Sequence, residues 1–131
     1  MKNLKILDLS GRKLTEIPPF VNDLPNLEYL KLNNNHIKHI PDWVGDMPHL
    51  AGLYLDGNKL EELPESIGNL ASLHVLSLRD NDIVTLPKSI VRLQNLSRLF
   101  LEGNRFPKHY RVSVGAGTVI KRCNQRKTPE H

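Results

Sequence analysis

Leucine recurs in this chain at a fixed interval of 23 residues. The interval separates five similar segments, which begin at Leu4, Leu27, Leu50, Leu73 and Leu96. Internal repeats of this length indicate a stacked array, because one unit cannot bury its own apolar face. The repeat therefore constrains the fold before the propensity of any single residue does.

Each segment carries the same order of apolar and polar positions. Leucine occupies the first, fourth and sixth positions of all five segments, with variable residues between them. Such alternation is typical of a short strand with one buried face. The ninth position is asparagine in four segments, whereas the first segment has Arg12 there. These asparagines are Asn35, Asn58, Asn81 and Asn104.

The second half of each segment predicts an irregular outer arm. A Leu-Pro or Ile-Pro pair ends the extended pairing, because proline lacks an N–H donor and has a fixed φ. The pairs are at Pro18, Pro41, Pro64 and Pro87. We expect short helical turns after them, around residues 20–23, 43–46 and 66–69. Phe20 and Trp43 share one outer column and either cover the first outer arms or form an apolar patch.

Stacking such units gives a parallel sheet on one side and bulkier arms on the other, so the stack must curve with its sheet inside. Where the chain leaves each strand, backbone groups turn inward and need partners. An amide side chain offers both a donor and an acceptor. The four asparagines are therefore predicted to form a ladder that binds the backbone of neighbouring turns.

The pattern LxxLxLxxNxLxxLPxxIxxLxx over residues 4–106 resembles the leucine-rich repeat in its 23-residue form. It is similar to the form found in intracellular Ras-signalling scaffolds and in bacterial leucine-rich repeat proteins. The resemblance implies an α/β solenoid, a right-handed curved horseshoe arc of about five repeats. It also implies a parallel concave sheet, an irregular or short-helical convex side, a protein partner on the concave face and no enzyme activity.

The strand positions between the leucines differ among the repeats, and they face the concave side. Tyrosine and arginine often contribute most to binding energy at interfaces, while charged neighbours set register and partner choice. Tyr29 and Tyr54 are expected diagonally on adjacent strands, beside a hollow at Gly52. The candidate partner-binding residues are Tyr29, Lys31, Asn33, Tyr54, Asp56, Arg79, Arg98, Phe100 and Glu102. The alternative is that the aromatic residues only stabilise the sheet by pairing across strands.

The two ends depart from the repeat. Residues 1–107 are the predicted repeat domain, and residues 108–131 are a predicted cap and basic tail whose end is disordered. The cap candidates are Tyr110, Val112, Val114, Val119 and Ile120. No cap precedes Leu4, so the edge of the first strand is expected to be uncovered. Either nearby charges make this uncovered edge tolerable, or a second copy of the chain covers it. The nearby charges are Lys2, Lys5, Arg12 and Lys13.

Charge is concentrated at the C-terminal end. Residues 1–107 have 12 basic and 13 acidic side chains, whereas residues 108–131 have six basic and one acidic, a net charge of +5. An alternative function is therefore nucleic-acid or anionic-surface binding through this tail, which would weaken steeply with salt. The nearly neutral repeat body makes nucleic acid an unlikely partner for the whole chain.

The sequence predicts no catalytic, metal or cofactor site and no small-molecule substrate. His36 and His39 lack a third ligand at a suitable spacing, and the segment Gly115–Thr118 lacks the context of a phosphate loop. The single Cys123 excludes an internal disulfide and fits a reducing compartment. We see no signal peptide and no membrane span. A cytoplasmic protein, or one delivered into a host cell, is expected.

Overall fold

The computed structural model describes residues 3–108 and 110, together with the backbone of residues 112–114 and 118–120. Five short strands form one parallel sheet in chain order. They are Ile6–Asp8 (β1), Tyr29–Lys31 (β2), Gly52–Tyr54 (β3), Val75–Ser77 (β4) and Arg98–Phe100 (β5). Each strand pairs with the next in a register that places the same repeat position side by side. The predicted five-repeat solenoid is confirmed.

A 3-10 turn follows the proline of each of the first four repeats. The turns are Pro19–Asp23, Asp42–Asp46, Glu65–Asn69 and Lys88–Arg92, and the fourth was not among the predicted turns. The second, third and fourth turns pack against one another. Their contact is so close that a Cβ at Gly45 would collide with the Ser66 carbonyl, and one at Gly68 would lie 2.5 Å from the Ser89 carbonyl oxygen.

The core is a column of aliphatic side chains between the sheet and the outer turns. From Ile17 to Phe106 the repeated leucine, isoleucine and valine positions are buried. The first repeat differs, because the leucines of its first half are only half-buried and pack against the core. These residues are Leu4, Leu7, Leu9 and Leu14.

The four asparagine side chains lie buried in a column and bind the backbone of their own repeat and of the preceding one. The Nδ2 of Asn58 donates to the Leu55 and Leu32 carbonyls at 3.0 Å each, and its Oδ1 accepts the N–H of Ile37 at 3.0 Å. Asn81 and Asn104 repeat this pattern one and two units later. Each amide therefore completes a bend that has no access to water.

At the C-terminal end, Tyr110 covers the last repeat. Its ring stacks on Phe106 with 4.7 Å between centroids, and its hydroxyl oxygen accepts the N–H of Leu86 at 2.9 Å. Two further strands, Val112–Val114 (β6) and Thr118–Ile120 (β7), pair antiparallel, and β6 lies beside the fourth 3-10 turn. These contacts support a proposed boundary near residue 107 between the repeat domain and a cap.

The remaining C-terminal predictions fall outside the described residues. They concern His109, Arg111, segment 115–117, Cys123, most of the basic tail and the side chains of β6 and β7. Within the described part of the chain, no helix has the length and apolar character needed to cross a bilayer.

Candidate partner-binding face

The concave face is formed by the side chains of the third, fifth and seventh repeat positions. The parallel register aligns them in three columns across the strands. Tyr29 lies opposite Gly52, and Lys31 lies opposite Tyr54, so the two tyrosines are diagonal neighbours. Most of these side chains are half-exposed, which leaves part of each available for contact.

The hollow expected at Gly52 is filled. A Cβ at this position would lie 2.7 Å from Tyr29 Cδ1 and 3.0 Å from Tyr54 Cε2, so the two rings occupy the space that a side chain would need. Gly52 itself is buried. The prediction of an open hollow was therefore wrong, because two half-buried aromatic rings close over the missing side chain.

Lys31 extends this aromatic area. Its Nζ lies 5.9 Å from the centroid of the Tyr54 ring, at the outer range of a cation–π contact. Together Tyr29, Tyr54, Lys31 and the exposed Ile6 make up the aromatic half of the concave face. Two neighbouring aromatic rings with a cation beside them form a surface that can contact apolar groups.

Arg79 is the centre of the charged half of the concave face. Its guanidinium Cζ lies 4.1 Å from the centroid of the Phe100 ring, and its Nε donates to Glu102 Oε1 at 3.1 Å. A longer ion pair of 3.9 Å joins Arg79 to Asp56. These groups are partly exposed, so the ion pairs contribute little to stability, but they hold the guanidinium in one orientation. Arg98 on β5 is exposed beside them.

The seventh-position side chains form a second ladder that the sequence reasoning missed. In the first three repeats, each of these side chains accepts the backbone N–H of the same position one repeat later. The N–H of Asn33 donates to Ser10 Oγ at 3.1 Å, that of Asp56 to Asn33 Oδ1 at 2.9 Å, and that of Arg79 to Asp56 Oδ1 at 2.8 Å. The Ser77 hydroxyl also donates to Asp56 Oδ1 at 2.6 Å. Asn33 and Asp56 therefore have a structural task on the face where partner contacts were predicted.

At the first strand, Asp8 closes its own turn. Its Oδ1 accepts the backbone N–H of Ser10 at 3.0 Å. Hydrogen bonds from the Ser10 hydroxyl and from its N–H hold the pKa of the Asp8 carboxyl below its ordinary value. The carboxylate is thus ionised at neutral pH and belongs to the local turn.

Beside the asparagine bends lies a groove of about 840 Å³ with side chains of both charges. In it, Arg105 Nε donates to Asp82 Oδ1 at 3.1 Å. His39, Glu61 and Glu62 also line the groove. Among the described residues, no three side chains of the metal-binding types are grouped closely enough to hold an ion. The groove therefore has no metal-binding cluster in the part of the chain that the structure describes.

Comparison with known families matches two models of the same kind. Residues 2–60 match a model described as leucine rich repeat, and residues 44–112 match one described as leucine-rich repeat region. This chain belongs to the leucine-rich repeat family. The family contributes a fold that generally serves as a non-catalytic scaffold for protein interaction.

Three solved leucine-rich repeat structures are similar to this chain. A protein of Leptospira interrogans is 30% identical, with a TM-score of 0.62 over 83% of this chain and 32% of its own. The leucine-rich repeat domain of APL1B is 27% identical, with a TM-score of 0.72 over 79% and 33%. An internalin (inlF) of Listeria monocytogenes is 26% identical, with a TM-score of 0.64 over 72% and 26%.

The chain thus spans about a third or less of the length of these leucine-rich repeat proteins. A comparison with curated protein sequences found no significant match. The similarity supports a protein-interaction module, while the partner has to be inferred from the chain's own surface.

Proposed function

We propose that this leucine-rich repeat chain is a non-catalytic module that binds a partner protein on its concave face. The observation that carries the proposal is the position of Tyr29, Tyr54, Arg79 and Phe100, all half-exposed on one side of the sheet. Buried tyrosine, tryptophan and arginine contacts contribute most of the energy at typical interfaces. A scaffold, an adaptor or a bacterial effector would each use such a face.

Order before binding supports this assignment. Tyr29 and Tyr54 are held on either side of Gly52, and Arg79 is held between Phe100 and Glu102. A side chain that is already fixed loses little conformational freedom when a partner arrives. The concave face therefore has two pre-ordered anchors, an aromatic one on β2 and β3 and a cationic one between the end of β4 and β5.

The charged residues around these anchors have different tasks. Lys31, Arg98 and Glu102 are charged side chains on the same face, and we expect them to set the register and the choice of partner. Asn33 and Asp56 use their side-chain oxygens on the backbone of the next repeat. Their contribution to binding is thus expected to be indirect, through the spacing of the strands.

The single Cys123 fits action in a reducing compartment, either the cytoplasm or a host cell.

Affinity capture from the native cell or host tests the proposal. The wild-type chain is compared with the triple variant Tyr29→Ala, Tyr54→Ala and Phe100→Ala, after circular dichroism has shown that the variant folds. A matched control changes the exposed Val84 and Val91, which lie off the concave face, to alanine. We expect the partner to be lost by the triple variant and kept by the control. Retention of the same partner by a folded triple variant would refute the concave-face assignment.

A further inference from the structure

The third-position column of the concave face is apolar on three neighbouring strands and ends at a cation. Tyr29 on β2 lies beside Gly52 on β3, and Gly52 lies beside Val75 on β4. The rings of Tyr29 and Tyr54 cover Gly52, and Val75 is half-buried next to it. On β5 the same column has Arg98. A partner that lies along this column therefore meets apolar groups on β2 to β4 and a positive charge on β5.

The seventh-position column is already occupied by contacts within the chain. The side-chain oxygens of Asn33 and Asp56 accept backbone N–H groups of the next repeat. Arg79 lies over the Phe100 ring and pairs with both Asp56 and Glu102. A carboxylate of a partner would have to displace Glu102 to reach this guanidinium. The seventh-position column thus has little capacity left for recognising an incoming charge.

Arg98 is a cation without a carboxylate among the residues that the structure describes. Its side chain is exposed and takes part in none of the ion pairs or cation–π contacts found there. Its neighbour on β4 is the apolar Val75. Glu102 follows four residues later, roughly 13 Å away along an extended chain. A guanidinium has five donors and no acceptor, so the exposed Arg98 side chain is suited to bind an anion.

The chain around Arg98 has the same charge preference. Residues 66–74 and 88–97, which lead from the outer turns into β4 and β5, contain no aspartate or glutamate. The opposite edge of the sheet, where the strands end, has Asp56, Asp80 and Glu102 around the single cation Arg79. An anionic group is therefore attracted to the beginning of β5 and repelled from the end of the strands.

We infer that the partner contacts the concave face with a segment that has apolar side chains over the two tyrosines and Val75, and a carboxylate bound to Arg98. This inference rests on the proposed function, because it specifies the chemistry of the same face. A carboxylate can accept two parallel hydrogen bonds from one guanidinium. Because three strand spacings separate Tyr29 from Arg98, the outermost apolar contact and the carboxylate lie about 14 Å apart, the length of about four extended residues.

Selection from a displayed library of random peptides tests the inference without a known partner. The peptides have about 12 residues, long enough to cross these strands when extended. The immobilised 131-residue chain is the bait. Clones are kept if they bind the wild type but not the folded triple variant Tyr29→Ala, Tyr54→Ala and Phe100→Ala.

We expect the kept clones to be enriched in aspartate or glutamate near apolar residues. They should bind Arg98→Gln about tenfold more weakly than the wild type, because the charged pair is lost. Arg92→Gln is the matched control and should leave the affinity nearly unchanged, since Arg92 is equally exposed but lies on the fourth outer turn. Replacing the acidic residue of a clone by lysine should restore its binding to Arg98→Glu.

The outcomes separate this inference from the proposed function. Clones that need the concave aromatic residues but bind Arg98→Gln as tightly as the wild type would overturn the inference and leave the proposed function standing. A selection without any clone that depends on those aromatic residues would overturn the proposed function, and this inference with it.

Discussion

The first repeat, residues 4–26, and the third repeat, residues 50–72, have nearly the same sequence pattern but are completed to different degrees. Leu53 and Leu55 of the third repeat are fully buried, whereas Leu7 and Leu9 of the first are half-buried. The third repeat has a neighbour on each side, and the first has one on only one side within this chain. The repeated residues therefore specify the coil, but its apolar side chains are fully buried only when another coil packs on each side.

The ninth position shows the same contrast in polar contacts. Asn58 binds the backbone of its own and the preceding repeat, while Arg12 is exposed. The asparagine is therefore needed only where a preceding turn has to be joined. Three of the changes predicted below are at interior residues, each compared with its counterpart in the first repeat, and the fourth is at the C-terminal end of the array.

The largest effect is expected for Asn58→Leu. The change leaves the Ile37 N–H buried without a partner and removes one of two amide donors from each of the Leu32 and Leu55 carbonyls, which keep those of Asn35 and Asn81. The free energy of unfolding should therefore fall by about 4 kcal/mol. The control Arg12→Leu should change it by less than about 0.5 kcal/mol, because the side chain is exposed. Urea unfolding measures both. Equal effects of the two changes would contradict the ladder's dependence on a neighbouring turn.

The second effect concerns the hydrophobic core. Leu53→Ala leaves a cavity in a fully buried site and should cost about 3 kcal/mol. Leu7→Ala, measured in dilute protein, should cost about 1 kcal/mol, because the wild-type side chain is already half-exposed to water. A cost for Leu7→Ala as large as that for Leu53→Ala would show that the first repeat is completed within a single chain.

The third effect concerns the outer turns. Gly45→Ala forces a methyl group against the Ser66 carbonyl and should lower stability by about 2 kcal/mol. Asn22, the counterpart in the first repeat, is exposed, so Asn22→Ala should change stability by less than about 0.5 kcal/mol. Thermal unfolding followed by circular dichroism separates them, and similar melting temperatures would mean that the turns can move apart.

The smallest effect concerns the covered end of the array. Tyr110→Phe removes the hydroxyl that accepts the Leu86 N–H and should cost about 1 kcal/mol. Tyr54→Phe on the concave face is the matched control and should cost less than about 0.5 kcal/mol. An unchanged stability for Tyr110→Phe would show that this hydrogen bond does not hold Tyr110 against the last repeat.

The sequence predicted the fold well because the 23-residue interval fixes which residues are neighbours across the sheet. Residues that repeat, such as Leu53 and Asn58, could therefore be assigned to the core and to the bends. The concave face was harder, since its residues vary and their contacts depend on local geometry. The filled space at Gly52 follows from the orientation of two tyrosine rings, which no spacing rule supplies.

One missed feature did have a signal. The seventh positions of the first three repeats are Ser10, Asn33 and Asp56, and all three have a short side chain with an oxygen acceptor. Residues of this type often bind nearby backbone N–H groups. The pattern ends at Arg79, which cannot accept. A second acceptor ladder could thus have been predicted for these repeats, and with it the indirect role of Asn33 and Asp56.

Amide hydrogen exchange tests most directly whether a repeat is completed by the coils on both sides of it. The Leu60 N–H, which donates to Asn81 Oδ1, should exchange slowly at every protein concentration. The Ile6 and Asp8 N–H groups, which face away from β2, should exchange fast at every protein concentration. Rapid exchange at Leu60, or exchange at Ile6 and Asp8 that is as slow as at Leu60, would contradict this account.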